Sequence, residues 1–243
     1  MRRLARAVGI QSYTYRRFGA LKMVDEVKAA GLEAIELWPG HLPANASEEQ
    51  VAELLAYCAE RGIGICGYGV VGLGGETESH LRMAKRLGCS YVSVDVRPHA
   101  REAQAAACRL AEELGLHLGI HNHGPGHHYS SAEDVAAVLK ENPAVLGACV
   151  DTGHFLRSNV DPVAAIELLQ PRVYAVHLKD FIDDRTEVQP GTGRLHLPTT
   201  LAALVRAGMA APFVMEYEAD EHNPTPAVRT ATEAVRAALP AGA

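Results

Sequence analysis

The chain has 243 residues and a mass of 26.0 kDa, close to the roughly 250 residues of one closed α/β barrel, so one domain over residues 1–243 is expected. Hydrophobic residues make up 48% and charged residues 21%, which allows a sizeable core and excludes general disorder. The formal net charge of −6 disfavours a partner held through many phosphate contacts, so no nucleic-acid partner is expected.

The cysteines and the apolar runs indicate the cellular compartment of the protein. Five cysteines, an odd number without a CxxC pair, lie in apolar segments, and this pattern predicts a reduced, cytoplasmic protein. The first residues carry arginines but reach Gly9 before any apolar run of signal-peptide length. No later segment gives about 18 uninterrupted apolar residues, so neither export nor a membrane partner is expected.

Short apolar runs alternate with helical patterns along the whole chain. The average spacing of the pairs is about 30 residues, the size of one βα unit. The runs that predict strands are residues 8–13, 34–38, 65–71, 91–96, 117–123, 146–151, 173–178 and 213–217. The helical patterns cover residues 20–30, 48–61, 76–87, 101–114, 132–140, 162–169, 198–207 and 226–239.

Residues at the element boundaries support this division. Ser47, followed three residues later by Gln50, predicts a capping box, and Ser131 and Asp161 stand where helices need N-caps. Alternating strands and helices force parallel strand pairing, because each helix returns the chain across the sheet. Eight uninterrupted units favour an α/β fold of the single (β/α)8 barrel type, with an open doubly wound sheet as the alternative. Glycines close the predicted helices at Gly31, Gly62, Gly88, Gly115 and Gly208.

Polar side chains concentrate where the predicted strands end, which is the face that carries the active site in such barrels. Histidines are also unevenly placed, since six of the twelve fall within residues 121–177. A functional site at that face is the simplest interpretation of both patterns. The polar strand-end residues are Glu36, His121, His123, Asp151, His154, His177, Lys179, Asp180, Glu216 and Glu218.

Four of these residues offer the ligand atoms of a divalent cation and come from four successive strands. Mixed imidazole and carboxylate ligation suits Mn, Zn, Co or Fe better than Ca. Any one such residue alone is more often a hydrogen-bonded structural group, whereas their joint placement predicts a metal site. The four residues, from the fifth to the eighth predicted strand, are His121, Asp151, His177 and Glu216.

Two further histidines are candidates for contacts with the substrate. His123 shares a strand face with His121 about 6.6 Å further along, so it is predicted to line the pocket. His154 follows Asp151 across a Thr-Gly turn. For His154, substrate contact is favoured over a role as a second ligand or as a turn residue.

The remaining polar candidates have competing interpretations. Lys179 could neutralise an oxyanion or remain solvated, and Glu36 could reach the pocket or form a salt bridge at the barrel rim. His127 and His128 lie in a loop and are expected to be solvated. Nucleophilic catalysis fits poorly, because no GxSxG motif occurs and no cysteine ends a strand at this face. The pattern favours metal-assisted proton chemistry.

At these residues the sequence resembles the xylose isomerase-like TIM barrel superfamily of sugar phosphate isomerases and epimerases. The resemblance covers nearly the whole chain and implies a divalent ion (Mn, Zn, Co or Mg) held by Asp151, His177 and Glu216. The family's fourth ligand is a glutamate at the end of the fifth strand, and His121 stands in that place here. The motifs that carry the resemblance are AIELWPGH, HNHG, VDTGHF, VHLKD and MEYE.

The resemblance implies a metal-dependent isomerase or epimerase that acts on a sugar, a sugar phosphate or a related keto-polyol. Glu216 would remove the substrate's proton next to the carbonyl, and His123 and Glu36 are further catalytic candidates. His154 and Lys179 would contact the substrate. A dehydratase similar to inosose dehydratase is the alternative. An endonuclease IV-like phosphodiesterase and a non-catalytic sugar-binding barrel rank lower. A homo-oligomer remains open.

Because a histidine replaces the family's glutamate, the chain offers one of the two carboxylates that epimerases place on either face of the substrate. A one-base reaction, either isomerisation or elimination of water, is therefore expected ahead of epimerisation. His123 or Glu36 could supply a second base and restore epimerisation.

Overall fold

A computed structural model describes residues 7–240 of the chain. The arginines before Ala7, which entered the expectation on export, lie outside the described residues. The barrel strands are β1 (Val8–Gln11), β2 (Ala34–Leu37), β3 (Gly64–Gly72), β4 (Tyr91–Asp95), β5 (His117–His121), β6 (Leu146–Asp151), β7 (Val173–Leu178) and β10 (Phe213–Met215). A hairpin between β7 and β10 consists of β8 (Asp180–Phe181) and β9 (Glu187–Val188).

Helices return the chain outside the barrel after each strand. They are α1 (Ala20–Ala29), α2 (Glu48–Glu60), α3 (Thr77–Arg86), α4 (Arg101–Leu114), α5 (Ala132–Lys140), α6 (Thr152–Arg157), α7 (Pro162–Leu169), α8 (Leu197–Arg206) and α9 (Thr225–Ala238). A 3-10 turn, Ser12–Tyr15, follows β1. Among the described residues no helix has the length and apolar character needed to cross a membrane.

The strands form one closed parallel sheet, in the order β1-β10-β7-β6-β5-β4-β3-β2. Closure comes from the pairing of β1 with β10, where Gly9 lies opposite Val214. The predicted (β/α)8 barrel is therefore confirmed over the open doubly wound sheet. Parallel closure also places all eight strand ends on one face, which is the reason the polar strand-end residues meet.

The predicted boundary residues act as expected at the helix ends. Ser47 and Gln50 form a reciprocal capping box before α2, and Ser131 caps α5 in the same way with Asp134. Asp161 accepts a hydrogen bond from the Val163 amide at the start of α7. These caps satisfy amide groups that a helix leaves without internal partners, so the sequence specifies where these three helices begin.

Small residues leave room for one large side chain inside the barrel. The Tyr91 ring fills the space beside Gly67, where an added Cβ would lie 2.4 Å from the ring. Ala34, Ala175 and Val214 belong to the same buried interior cluster. The larger apolar core lies between the barrel and its helices. Glycine at position 67 thus lets the Tyr91 hydroxyl extend up the barrel axis toward the strand ends.

The chain after the β8–β9 hairpin is anchored by a single buried carboxylate. Asp180 accepts hydrogen bonds from four backbone amides, those of Phe181, Gly191, Gly193 and Leu195, at 2.8–2.9 Å. We expect Asp180→Ala to lower the free energy of unfolding by about 2–4 kcal/mol, because two buried and two partly buried hydrogen bonds lose a charged acceptor. Urea unfolding measures this. The control Asp184→Ala, in the exposed turn between β8 and β9, should change stability by less than about 0.5 kcal/mol, and equal effects would contradict the anchoring role.

Candidate metal centre and substrate cavity

Four buried side chains converge at the ends of neighbouring strands β5, β6, β7 and β10. Each offers one ligand atom, and these atoms all lie within 4.8 Å of one another. They belong to His121, Asp151, His177 and Glu216. The structure thus brings together the whole set that the sequence proposed as metal ligands, and places it at the face where barrel active sites lie.

The spacing within this cluster suits a divalent cation. His121 Nε2 lies 3.0 Å from His177 Nδ1 and 3.6 Å from Asp151 Oδ2, and His177 Nδ1 lies 3.4 Å from Glu216 Oε2. In a tetrahedral zinc site with bonds of about 2.0–2.1 Å, ligand atoms stand about 3.3 Å apart. Asp151 Oδ2 is buried without a hydrogen-bond partner among the described residues, as expected of an atom reserved for an ion. The two carboxylates, Asp151 and Glu216, also match the charge of a divalent cation.

Glu36 lies beneath this cluster rather than on the cavity wall. Its fully buried carboxylate accepts hydrogen bonds from Gln11 Nε2 at 2.9 Å and from the Tyr91 hydroxyl at 2.7 Å, and it also pairs with Ser93 Oγ. His177 Nε2 lies 2.9 Å from Glu36 Oε2. A carboxylate that accepts from one ring nitrogen fixes the tautomer and turns the other nitrogen toward a metal. Glu36 therefore orients His177, and its contacts do not bring it to substrate.

Asp151 is held from two sides. Its amide donates to Asn122 Oδ1 at 2.7 Å, while Asn122 Nδ2 donates to the Asp151 carbonyl at 2.9 Å. Its Oδ1 accepts from the His154 amide at 2.7 Å and caps helix α6, where the sequence suggested a turn. A Cβ on Gly153 would lie 2.8 Å from side-chain atoms of Lys179, so only glycine lets α6 begin here. Oδ2 is left directed at the cluster.

Buried charges set the protonation of the centre. Burial raises the pKa of Asp151, but His154, His121 and Lys179 offset this and hold the pKa of that carboxyl well below its usual range. Burial likewise raises the pKa of Glu216, and Lys179 and His177 bring it down to about 2. Both carboxylates are ionised at neutral pH and available as ligands.

His177 responds to the same negative field. Burial lowers the pKa of His177, but Cys149 and Glu36 raise it more, so the pKa lies well above its usual value. The field that favours a proton on this ring also favours a divalent cation at its Nδ1. Proton and metal therefore compete for the cluster, and metal affinity should fall as the pH is lowered.

Lys179 is buried behind the cluster, which differs from the solvated alternative that the sequence left open. Only 1% of its surface is exposed. Its Nζ lies 3.6 Å from Glu216 Oε2 and forms an ion pair with Glu218. Burial lowers the pKa of Lys179, yet Glu216 and Asp151 raise it above its usual value, so the ammonium is charged. Its contacts are with carboxylates of the chain.

Glu187, on β9, is a half-buried acid of this region whose pKa lies near neutral pH. Burial raises the pKa of Glu187 to about 7, against a weaker lowering by Lys179. Since the folded-state pKa exceeds the unfolded value, this group stabilises the fold below about pH 4.5, and the contribution disappears as the pH rises through about 7. We expect Glu187→Gln to raise the free energy of unfolding by about 1–2 kcal/mol at pH 8 and to change it little at pH 4.5. Urea unfolding across this range measures it, and an equal effect at both pH values would contradict the assignment.

A cavity of about 280 Å³ opens beside the four-residue cluster. Its size is close to the lower end, about 300 Å³, of pockets that hold small molecules. Tyr13 and Trp38 form an aromatic wall, with ring centroids 5.1 Å apart and planes at 83°. The lining residues are Gln11, Tyr13, Trp38, Val70, His121, His123, His154, Glu216 and Glu218.

Two of the cavity histidines are neutral at pH 7. Burial and the neighbouring His121 lower the pKa of His123 to about 3, and burial lowers the pKa of His154 as well. Both side chains are half-buried and line the cavity, as the sequence suggested for His123 and for a substrate contact at His154. Neutral imidazoles of this kind can accept a proton or a hydrogen bond from a ligand.

Sequence reasoning did not single out two residues that shape the site. Gln11 ends β1 and donates to Glu36, so the rule that polar residues at strand ends matter would have found it. Asn122 holds Asp151, but its position between two histidines gave no signal of that pairing. His127, expected to be solvated, is half-buried with its Nδ1 enclosed, whereas His128 is exposed as expected.

A larger cavity of about 430 Å³ lies at the opposite end of the barrel, where the strands begin. Its lining is mainly apolar, with His117 stacked on Tyr174 at a centroid distance of 4.2 Å. Among the described residues, none of the acidic residues lines it. The smaller strand-end cavity is the one bordered by acidic side chains, Glu216 and Glu218.

Sequence comparison identifies the family of the chain. A family model described as xylose isomerase-like TIM barrel matches residues 24–238. The chain belongs to this family. The match extends from α1 through α9, and the resemblance expected from the motifs is confirmed.

Xylose isomerase-like relatives include curated dehydratases. Inosose dehydratase 1 of Bacillus cereus (strain ZK / E33L) is 28% identical over 130 residues, which covers 46% of this chain and 44% of that protein. The matched part thus spans less than half the length of the curated relative. What that protein acts on is considered below as a proposal for this chain.

Solved structures of two enzymes share the fold. D-psicose 3-epimerase of Clostridium cellulolyticum H10 superposes with a TM-score of 0.76 at 16% identity, covering 96% of this chain and 99% of that one. The probable 3-DHS dehydratase of Bacillus anthracis gives a TM-score of 0.77 at 15% identity, with coverage of 95% and 98%. At these identities the likeness is one of fold.

Proposed function

We propose that the protein is a divalent-metal-dependent enzyme that removes a proton next to the carbonyl of a small polyhydroxylated ketone, and that loss of water completes the reaction. The observation that carries the proposal is the convergence of His121, Asp151, His177 and Glu216 beside a cavity of monosaccharide size. The matched curated relatives, inosose dehydratases, support the dehydratase outcome.

A divalent cation held by these four residues would supply Lewis acidity that makes the C–H next to a carbonyl more acidic. The chain's own groups then move the proton. Glu216 and His123 both border the cavity, and both are unprotonated at neutral pH, so either can take it. The electron pair released from the C–H bond forms a C=C bond and expels the β-hydroxyl, which leaves as water after it gains a proton.

The charges around the cavity favour this one-base chemistry. His121 occupies the place of the family's second carboxylate. Of the four-residue cluster, Glu216 is the carboxylate that borders the cavity, and Glu218 borders the cavity beside it. Both come from the same stretch of chain after β10. Tyr13 and Trp38 offer an apolar wall for the C–H face of a ring, while the imidazoles can bind hydroxyl groups.

Isomerisation or epimerisation is the second candidate. It shares the proton-abstraction step and ends with return of the proton instead of loss of water. The observation in its favour is the neutral His123, which follows β5, three strands around the barrel from β10 and Glu216. Such a group can return a proton from a different direction. Dehydration leaves a product with a conjugated carbonyl that absorbs in the ultraviolet, whereas isomerisation does not.

A panel of inososes, keto-sugars and hydroxylated cyclic keto-acids, incubated with metal-loaded protein, tests the proposal. We expect turnover of at least one compound, a primary isotope effect when the carbon next to the carbonyl carries deuterium, and an ultraviolet signal for dehydration. Turnover without an isotope effect in single-turnover measurements would contradict proton abstraction.

A variant of His123 distinguishes the two candidate bases, His123 and Glu216. His123→Asn should leave the metal content of the four-residue cluster unchanged, since His123 is not part of it. If His123 is the base, this variant loses turnover by at least about 100-fold, in the range that general-base catalysis contributes. If turnover persists in His123→Asn, His123 is excluded and Glu216 remains as the candidate base.

A further inference from the structure

A second group of metal-ligating side chains lies outside the four-residue cluster. Asp95 ends β4, His123 follows β5, and His127 lies in the loop between β5 and α5. Their ligand atoms all lie within 4.8 Å of one another, and each residue is half-buried. None of the three belongs to the four-residue cluster.

The fold explains why these residues meet. Strands β4 and β5 are neighbours in the barrel, so the chain beyond both strands shares one part of the rim. The loop then folds back, since the His123 amide donates to the Tyr129 carbonyl at 3.1 Å and the His127 amide donates to the Gly124 carbonyl at 3.3 Å. The rings of His123 and His127 come to a centroid distance of 4.1 Å.

The contacts of His127 leave a ligand atom without a partner. Its Nδ1 is enclosed and makes no hydrogen bond with the described residues. Its neighbour His128, in contrast, is exposed. A buried polar atom without a partner is uncommon in folded proteins and calls for a ligand, an ion or a water molecule.

We propose that Asp95, His123 and His127 bind a second divalent cation of the zinc class at the rim of the cavity. Two imidazoles and one carboxylate are the donor set of zinc sites that have three protein ligands and one open position. The ligand atoms spread up to 4.8 Å, wider than the roughly 3.3 Å of a tetrahedral zinc site, so the loop must tighten around the ion. With three half-buried ligands this site binds more weakly than the buried four-residue cluster.

The second ion would lie close to the cavity. The His123 ring is 4.7 Å from the His121 ring and 5.5 Å from the His154 ring, measured between centroids, and His123 lines the cavity wall. Binding of zinc by His123 occupies the lone pair that could otherwise accept a proton. Zinc binding at the rim site is measured without turnover, so its test does not depend on the proposed function.

Zinc titration of the full chain by calorimetry, with zinc content after dialysis as a second readout, tests the proposal. We expect two Zn²⁺ per chain in the unsubstituted protein, a tighter and a weaker one. His127→Ala should weaken the second by at least about 10-fold and leave the first unchanged. The matched control His128→Ala should keep both. Asp95→Asn, which preserves side-chain shape, should act like His127→Ala.

The variant Asp151→Asn distinguishes zinc binding at the rim site from zinc binding at the buried cluster. It should lose the tighter zinc and keep the weaker one with its affinity unchanged. Zinc binding that both His127→Ala and Asp95→Asn leave unchanged, or equal losses in His127→Ala and His128→Ala, would overturn the rim site. Circular dichroism without metal checks that each variant is folded, so that a loss of zinc reports on ligation.

Discussion

Replacing Asp151 by asparagine is expected to lower the affinity for divalent cations at the buried cluster by at least about 100-fold, and turnover by a similar factor or more. The substitution keeps the side-chain shape but removes one of the two negative charges that face the ion. Loss of a residue that merely supports a ligand costs about 10–100-fold, and loss of an anionic ligand should cost more. Competition with a metal-binding dye measures the affinity.

The control for Asp151→Asn is Asp183→Asn, in the exposed loop between β8 and β9. It changes the net charge of the chain by the same amount and should leave metal binding unchanged. Metal affinity equal to that of the unsubstituted protein in Asp151→Asn would mean that Asp151 acts only as the cap of helix α6. Its unpartnered Oδ2 would then need another explanation.

Replacing Lys179 by methionine is expected to lower the free energy of unfolding by about 3–5 kcal/mol, the cost of leaving buried charges without their partner. The ammonium lies beside Glu216 and Glu218 with almost no exposure, so its removal takes away the partner of Glu218 and leaves Glu216 with His177. The pKa of Glu216 should rise as a result, because Lys179 is the main group that lowers it against burial. Denaturant unfolding measures the stability without added metal.

Lys140→Met, at the end of helix α5, provides the matched control for Lys179→Met. As an exposed lysine it should change stability by less than about 0.5 kcal/mol. Lys179→Arg should restore little, because the wider planar guanidinium does not fit a space shaped for a compact ammonium. If Lys179→Met were as stable as the unsubstituted chain, the buried charges could not be interacting as described.

The barrel itself was predictable because its signals are local and repeated. Strand β6 and helix α4 begin and end at the predicted residues, since Gly115 ends α4 in a left-handed conformation and apolar runs have sharp edges. The short helix α6 was missed because VDTGHF has too few residues to show a helical period. The hairpin of β8 and β9 was missed for the same reason, with two residues in each strand.

The meeting of the four candidate ligands was predictable because barrel closure brings strand ends together without reference to side-chain detail. The orientation of Glu36 was not, because it depends on Tyr91 and Ser93, which lie 55 and 57 residues further along the chain. The burial of Lys179 depends on Glu216 and Glu218 in the same way. Strand-end position indicates which residues share a face, while only the packed structure shows which of them reach the cavity.

Anomalous X-ray diffraction from crystals grown with Mn²⁺ or Zn²⁺, recorded at the absorption edge of the added metal, tests the central claim most directly. The account predicts an anomalous peak among His121, Asp151, His177 and Glu216, with ligand distances of about 2.0–2.2 Å for zinc. The peak should disappear in Asp151→Asn crystals grown in the same way. Absence of a peak at this cluster in the unsubstituted protein, at saturating metal, would contradict a metal-dependent function.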